Sequence, residues 1–421
     1  MTARAKHIAM ALYGDLSYDS RVQREATTLH AAGYAVTVVC LDVNDANAVD
    51  LPPGVAIVAH RPSSSEILPG ARSPFNPDDP GTSTPRRGGK VSWVTGYMRN
   101  VRRWGRWAVE HVRADAWHAH DLTGLAALGG ADVFGRLPVV YDSHELYLES
   151  GTAQRLPRPA RWLLRRYERS RARHSAAVIT VNDGVADALR ARYGVDPVVV
   201  LNCPPLREVH RPGAMRRRLG LGARPVLLYH GALSAGRGID ATLAAMSLLP
   251  VDVAFVILGN GSLAPMLAAR RAEPALVDRV FLHPAVPPRE LLDWVVDADL
   301  VMVLQATEGS ELNFRLSTPN KLFEAMVSGV PVVVSPFAVM RGIVEHEGIG
   351  IVVDPSDVDG IARAVASLLG DETTRRDLGE RARLAARTTY NWERQAERLV
   401  SLYERVLPLR APSSLPLPRS Q

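Results

Sequence analysis

The sequence predicts an α/β protein made of two parallel-sheet domains in tandem that face a central cleft. Three observations point there. Apolar runs of strand length alternate with amphipathic runs of helix length through most of the chain, which calls for strands joined by crossover helices. The alternation runs to about residue 202 and starts again at 225, after a stretch rich in Pro, Gly and Arg. A chain of 421 residues also exceeds a comfortable single domain and suits two of about 200 residues each.

In chain order, the first series of strands is expected near 7–12, 35–41, 55–59, 116–120, 138–142, 176–181 and 198–202. The second is expected near 225–230, 253–258, 280–283, 300–304, 331–335 and 350–353. The first domain therefore covers 1–205, a linker 206–224, and the second domain 225–388. A closing helix over 389–407 is expected to cross back to the first domain, ahead of a frayed Pro/Ser-rich tail at 408–421. Residues 62–90, dense in Pro, Gly and Ser, are expected to form a long mobile surface loop.

About a fifth of the residues are charged and nearly half are hydrophobic, which is ordinary globular chemistry. Cys40 and Cys203 lie in apolar strand-like stretches and read as buried thiols in a reducing compartment. The N-terminal apolar run is too short for a signal peptide, and no later run suits a membrane span, so a cytoplasmic protein is expected. The net charge of +6 is unevenly placed: residues 86–113 and 155–173 each carry eight Lys or Arg against a single Glu. Over 97–113, Tyr97, Val101, Trp104, Ala108 and Val112 form one helical stripe, with Arg99, Arg103, Arg106 and Arg113 opposite. Such helices suit either peripheral contact with anionic lipid or packing on the sheet with a solvated Arg face. Nucleic acid is not expected, since no binding module accompanies the charge.

Two facing open sheets keep their ligands beyond the carboxyl ends of their strands. There the first strand leads through Gly14, where backbone can approach a ligand, to Asp19, a helix cap. A cap followed by a solvated face carrying Arg21 and Arg24 is the alternative reading of the same stretch. No G-x-G-x-x-G follows, against a dinucleotide-dependent dehydrogenase. "AWHAHDLTG" places His118 and His120 on one side of a strand, with Asp121 at its carboxyl end as reactive partner or N-cap. A metal held by these three lacks supporting Cys or Glu spacing. "YDSHELY" repeats the arrangement with Asp142, His144 and Glu145. In the second half, "YHGALSAGRGID" carries Arg237 between glycines into a helix start, and "LGNGSL" adds Gly259, as a second ligand loop or a simple tight turn.

"STPNKLFEAMVSGVPVVVS" sets Lys321 and Glu324 three apart on a helix's first turn. A Lys at the positive end of a helix is unfavourable unless an anion neutralises both, as a diphosphate would. Glu324 could then accept from a ribose diol; a simple intrahelical Lys–Glu pair is the alternative.

On these segments, which span nearly the whole chain, the sequence resembles the retaining glycosyltransferases of family 4, whose GT-B fold sets two Rossmann-like domains face to face. The run S-x-P-N-K-L-F-E, followed by A-x-x-S-G-x-P-V-V, carries the resemblance most specifically. The resemblance implies transfer of a sugar from a nucleoside diphosphate sugar to a glycan, lipid-linked or small-molecule acceptor, with retention and without a metal cofactor. It implies that Arg237 and Lys321 bind the donor pyrophosphate, Glu324 the ribose, and that His120 approaches the transferred sugar with Asp121 beside it. Gly14, Gly259, Arg315, Thr318 and Asn320 fall on the donor side, and His144 and Glu145 on the acceptor side. Two positions depart from the pattern: Leu316 stands where many members have a Glu, and Ala232 replaces an Arg of the first glycine loop. Those departures keep open a non-catalytic sugar-nucleotide-binding subunit, and an epimerase shares the architecture.

Overall fold

The computed structural model describes residues 4–17, 19–62, 89–150, 153, 156–208, 212–306 and 312–409. Each apolar run forms a strand: β1 (His7–Asp15), β2 (Ala35–Asp42), β3 (Ala56–Ala59), β4 (Ala116–His120), β5 (Val139–Ser143), β6 (Ala177–Thr180) and β7 (Val198–Val199) in the first half. The second half supplies β8 (Val226–His230), β9 (Ala254–Leu258), β10 (Val280–His283), β11 (Leu300–Val303), β12 (Val332–Val334) and β13 (Gly350–Val352). They pair in two parallel sheets, ordered β3-β2-β1-β4-β5-β6-β7 and β10-β9-β8-β11-β12-β13. Continuous apolar strands such as Val226–His230 are buried on both faces, as parallel sheets covered by helices require. The order reverses between β1 and β4 and between β8 and β11, which opens a crevice at the strand ends of each half.

The stretch 206–224 is not a bare linker. Ala214–Leu219 is helical, and Met215 and Leu221 pack into the second domain's core. Asp297 draws this helix in, its carboxylate accepting from Met215 N at 2.8 Å. The closing helix Trp392–Val406 lies on the first domain, with Leu399, Leu402 and Tyr403 fully buried among Ile8, Met10 and Val38. Trp392 Nε1 donates to Thr28 Oγ1 at 2.8 Å. Most of the expected 62–90 loop and of the 408–421 tail lies outside the described residues, but Gly89 and Lys90 already belong to a helix that runs to His111.

In that helix Tyr97, Val101, Trp104, Ala108 and Val112 are all buried, so the apolar stripe is spent on the sheet and the arginines face solvent. The helix Arg158–His174 differs. Its inner face holds Glu168 between the Tyr141 and Tyr193 hydroxyls, at 2.8 and 2.6 Å. On its outer face Trp162 and Leu163 stay 60% and 59% exposed. Arg165, Arg166, Arg169 and Arg173 flank Trp162 in one shallow groove. Among the described residues no helix is long and apolar enough to cross a membrane. Cys40 and Cys203 are free and buried.

Candidate functional site

The carboxyl ends of β1, β4 and β5 meet in a buried polar network. His120 and Asp142 are register partners on β4 and β5, so their side chains emerge side by side. Both residues are fully buried. Arg21, on the first helix, is not on a solvated face: it is 2% exposed and reaches Asp142 with Nε at 2.7 Å and Nη2 at 2.8 Å. Asp19 caps that helix, accepting from Val22 N at 3.1 Å. Burial favours a neutral Asp142, but Arg21 and His144 outweigh it and hold the carboxyl well below the usual carboxylate range.

His144 Nε2 lies 3.0 Å from Asp142 and its Nδ1 3.3 Å from Asp121. Burial disfavours the imidazolium, yet the two carboxylates prevail and raise its pKa to about 10. Asp121 does not cap the following helix through its side chain. It takes a left-handed φ of 56°, and its carboxylate accepts from His144 N at 3.1 Å. His120 Nδ1 is 3.2 Å from His144 Nε2, and its Nε2 is buried without a hydrogen-bond partner among the described residues. His118 stacks on His120 at 4.4 Å and meets the Tyr403 hydroxyl at 2.9 Å. Burial, then the neighbouring His120, push its pKa well down.

Donor atoms of Glu25, His118, His120 and Asp142 lie within 4.8 Å of one another, a spacing that could hold a metal ion. The Arg21 guanidinium contacts both carboxylates of the group, at 3.1 Å for Glu25, and so already supplies a cation there.

The second domain brings a different set to the end of β8. Lys321 opens the helix Asn320–Ser328 and is 9% exposed, its Nζ 3.6 Å from the centre of the Tyr229 ring. Gly231, with φ 119°, lets the chain turn beside the Lys321 side chain. Arg237 lies over the Phe314 ring at 5.1 Å. Burial, then the like charge of Arg237, hold the Lys321 pKa well below its ordinary value. Among the described residues neither cation has a carboxylate in ion-pair contact. Glu324 instead faces His230 Nδ1 at 3.5 Å. Burial and Lys321 press His230 down to about 3, so the contact is made by a neutral imidazole. Burial lifts Glu324 to about 7, against the pull of Arg24 from the first domain and of Lys321.

A cleft of about 470 Å³ opens beside the first set, lined from one side by Asp15, Asp19, His144 and Glu145 and from the other by Thr318 and Asn320, the residue before Lys321. Polar contacts cross it. Asn313 Nδ2 donates to Glu145 Oε2 at 2.6 Å, Asn182 Nδ2 to Leu316 O at 2.8 Å and to Thr318 Oγ1 at 3.2 Å, and Asn202 Nδ2 to Asn320 Oδ1 at 3.0 Å. Leu316 packs its side chain against the first domain's core, which gives its departure from the family pattern a structural use.

Three expected residues stand apart. Gly14 lies inside β1, and a Cβ there would meet only the Leu12 side chain, at 3.6 Å. Gly259 has a steric reason of its own, because a Cβ would collide with the Gly231 carbonyl. Arg315 is exposed. Sequence reasoning overlooked Asn313 and Tyr229, and its alternative of a solvated face carrying Arg21 and Arg24 does not hold for Arg21. An Arg on a helical face otherwise rich in buried residues was the available signal for Arg21.

Residues 20–204 match the family described as Glycosyltransferase Family 4, and residues 197–385 match Glycosyl transferases group 1. Each model accounts for one domain, and together they leave only the chain's two ends outside. The chain is a glycosyltransferase of the GT-B fold. Among characterised relatives it is 29% identical to a D-inositol 3-phosphate glycosyltransferase of Xylanimonas cellulosilytica, over 70% of this chain and 73% of that one. It is 26% identical to an alpha-D-kanosaminyltransferase of Streptomyces kanamyceticus, over 76% and 82%. Among solved structures, sucrose-phosphate synthase from Thermosynechococcus elongatus superposes with a TM-score of 0.72 at 18% identity, covering 95% of this chain and 98% of the other, a likeness of fold.

Proposed function

We propose that the protein transfers a sugar from a nucleoside diphosphate sugar with retention at the anomeric carbon. The observation that carries this reading is the pair Lys321 and Arg237. They are two neighbouring cations, one of them nearly buried, whose mutual repulsion an anion between them would relieve. A diphosphate held there would meet both charges and the amino end of the helix Asn320–Ser328. As the glycosidic bond breaks, negative charge grows on the leaving diphosphate, and these same groups would stabilise it. The neutralisation that a metal ion often supplies to a diphosphate thus falls to side chains, and the reaction is read as metal-independent. Glu324, one turn further along, takes the ribose hydroxyls, and the wall of His144 and Glu145, backed by His120 and Asp121, faces the sugar and acceptor.

One relative is by name a glycosyltransferase of D-inositol 3-phosphate, which supports a small-molecule acceptor. A lipid-linked acceptor draws support from the groove around Trp162, where an exposed aromatic sits among arginines as peripheral membrane segments require. Flotation with anionic vesicles at low salt tests that contact: Trp162→Ser with Leu163→Ser should abolish binding, and absence of binding by the native protein would refute it. The donor is tested by thermal shift with UDP-, GDP-, ADP- and dTDP-sugars, where the correct base raises the melting temperature by mass action. Release of the nucleoside diphosphate with an acceptor present, lost in Lys321→Ala, separates an enzyme from a non-catalytic binder.

A further inference from the structure

We propose that Arg21 and Asp142 are positioning residues of the transfer reaction, clamping His144 to the cleft wall and His120 behind it. The proposal rests on the transferase reading of the cleft. Asp142 is fully buried and cannot touch a substrate, whereas His144, 18% exposed at its side chain, lines the cleft. Whatever Asp142 contributes must therefore pass through its partners.

The geometry leaves Asp142 little freedom. Both its oxygens accept from Arg21, and Oδ2 also faces His144 Nε2 at 3.0 Å and His120 Nδ1 at 3.6 Å. Arg21 is fixed in turn, by Val200 O at 2.7 Å and by Glu25 at 3.1 Å. A histidine with a carboxyl group on each nitrogen has one orientation, with Nε2 toward Asp142 and Nδ1 toward Asp121, whose own pKa burial lifts to about 7. The peptide of His144 is held as well, because Asp121 accepts its N–H. Asp121 does so from a left-handed backbone conformation, which Asp tolerates better than most residues.

The groups that face His144 come from every side. Asp121 stands at the start of the helix after β4, His120 on β4, Asp142 and Glu145 on its own segment, and Asp19 with Arg21 at the start of the first helix. Burial works against the charged ring, and Asp121 and then Asp142 overcome it. The cleft thereby meets a fixed ring whose two N–H groups are already engaged by Asp142 and Asp121. The neighbouring His120 sets its Nδ1 3.2 Å from His144 Nε2, and its Nε2 has no hydrogen-bond partner among the described residues.

The test uses the full chain with histidine labelled at Cε1. In the native protein the His144 resonance should titrate near pH 10. In Asp142→Asn it should move toward the ordinary histidine value. With whichever of UDP-glucose, GDP-mannose, ADP-glucose and dTDP-glucose stabilises the native protein, kcat should fall roughly ten- to a hundredfold while the donor KM stays within about twofold, the signature of lost alignment rather than lost binding. The neutral double variant Arg21→Met with Asp142→Asn, which buries no guanidinium beside a lost charge, controls for misfolding and should show the same two changes. A His144 titration that does not move overturns the clamp, whatever the donor. A titration that moves with kcat unchanged overturns its part in the reaction. If the native protein turns over none of the four sugars with an acceptor panel, the transfer reading beneath the proposal fails, while the titration still reports on the clamp.

Discussion

The two walls of the cleft handle charge in opposite ways. Among the described residues, the charges near the first domain's strand ends meet opposite charges: Arg21 with Asp142, and His144 with Asp142 and Asp121. On the second domain Lys321 lies over the Tyr229 ring and Arg237 over the Phe314 ring, with no carboxylate in ion-pair contact among the described residues. A wall whose charges pair among themselves is built to hold a shape, and a wall with two cations side by side is built to receive an anion. The difference assigns the donor's diphosphate to the second domain and the alignment of sugar and acceptor to the first.

That contrast can be broken by mutation. The largest effect should come from cutting the self-satisfied wall. Asp142→Asn leaves a buried guanidinium without its carboxylate and should cost about 3–5 kcal/mol in urea unfolding. Lys321→Met should behave oppositely: removing a nearly buried cation should leave the stability of the free protein unchanged or raised, while turnover drops by about 10²–10³, as for loss of one group that stabilises developing negative charge. If Lys321→Met destabilised as strongly as Asp142→Asn, the two walls would not differ in kind.

Gly259→Ala sharpens a smaller point. Its Cβ would press on the Gly231 carbonyl, so the loop must shift, and a cost of about 1–3 kcal/mol is expected with donor affinity reduced. Gly14→Ala, with only ordinary contact to Leu12, should be tolerated in stability; loss of activity there would mark a close approach by ligand. The His144 charge gives a pH signature. Its folded pKa lies above the ordinary value, so its contribution to stability is complete below about pH 6.5 and is lost as pH rises toward about 10. Melting temperature should therefore fall across that window more steeply in the native protein than in His144→Gln. Asn313→Ala, which frees Glu145 and the Leu146 N–H, should have the smallest effect, about 1 kcal/mol.

The sheets were legible in the sequence because a strand buried on both faces must be apolar throughout. The thirteen strands among the described residues lie where apolar runs occur, with ends displaced by a few residues at most, although β3 is largely exposed. Lys321 was legible as well, since a Lys in a helix's first turn conflicts with the dipole and asks for an explanation. Arg21 was not. Its partner Asp142 lies 121 positions away, and a lone Arg after a helix cap looks like a solvated residue until the sheet brings β5 beside it. Leu316 could be seen as a departure but not understood, because its packing partner is the core of the other domain. Helix 214–219 was masked by the Pro, Gly and Arg around it, and it folds because Asp297, distant in sequence, satisfies its first N–H groups.

The central claim, that the second domain's paired cations await a nucleoside diphosphate, is tested most directly by calorimetric titration of UDP, GDP, ADP and dTDP into the native protein and Lys321→Met. One nucleotide should bind the native protein, its affinity should fall at least tenfold in Lys321→Met, and Arg237→Ala should show the same loss. Equal affinity in the native protein and both variants, or no binding of any of the four by the native protein, would contradict it.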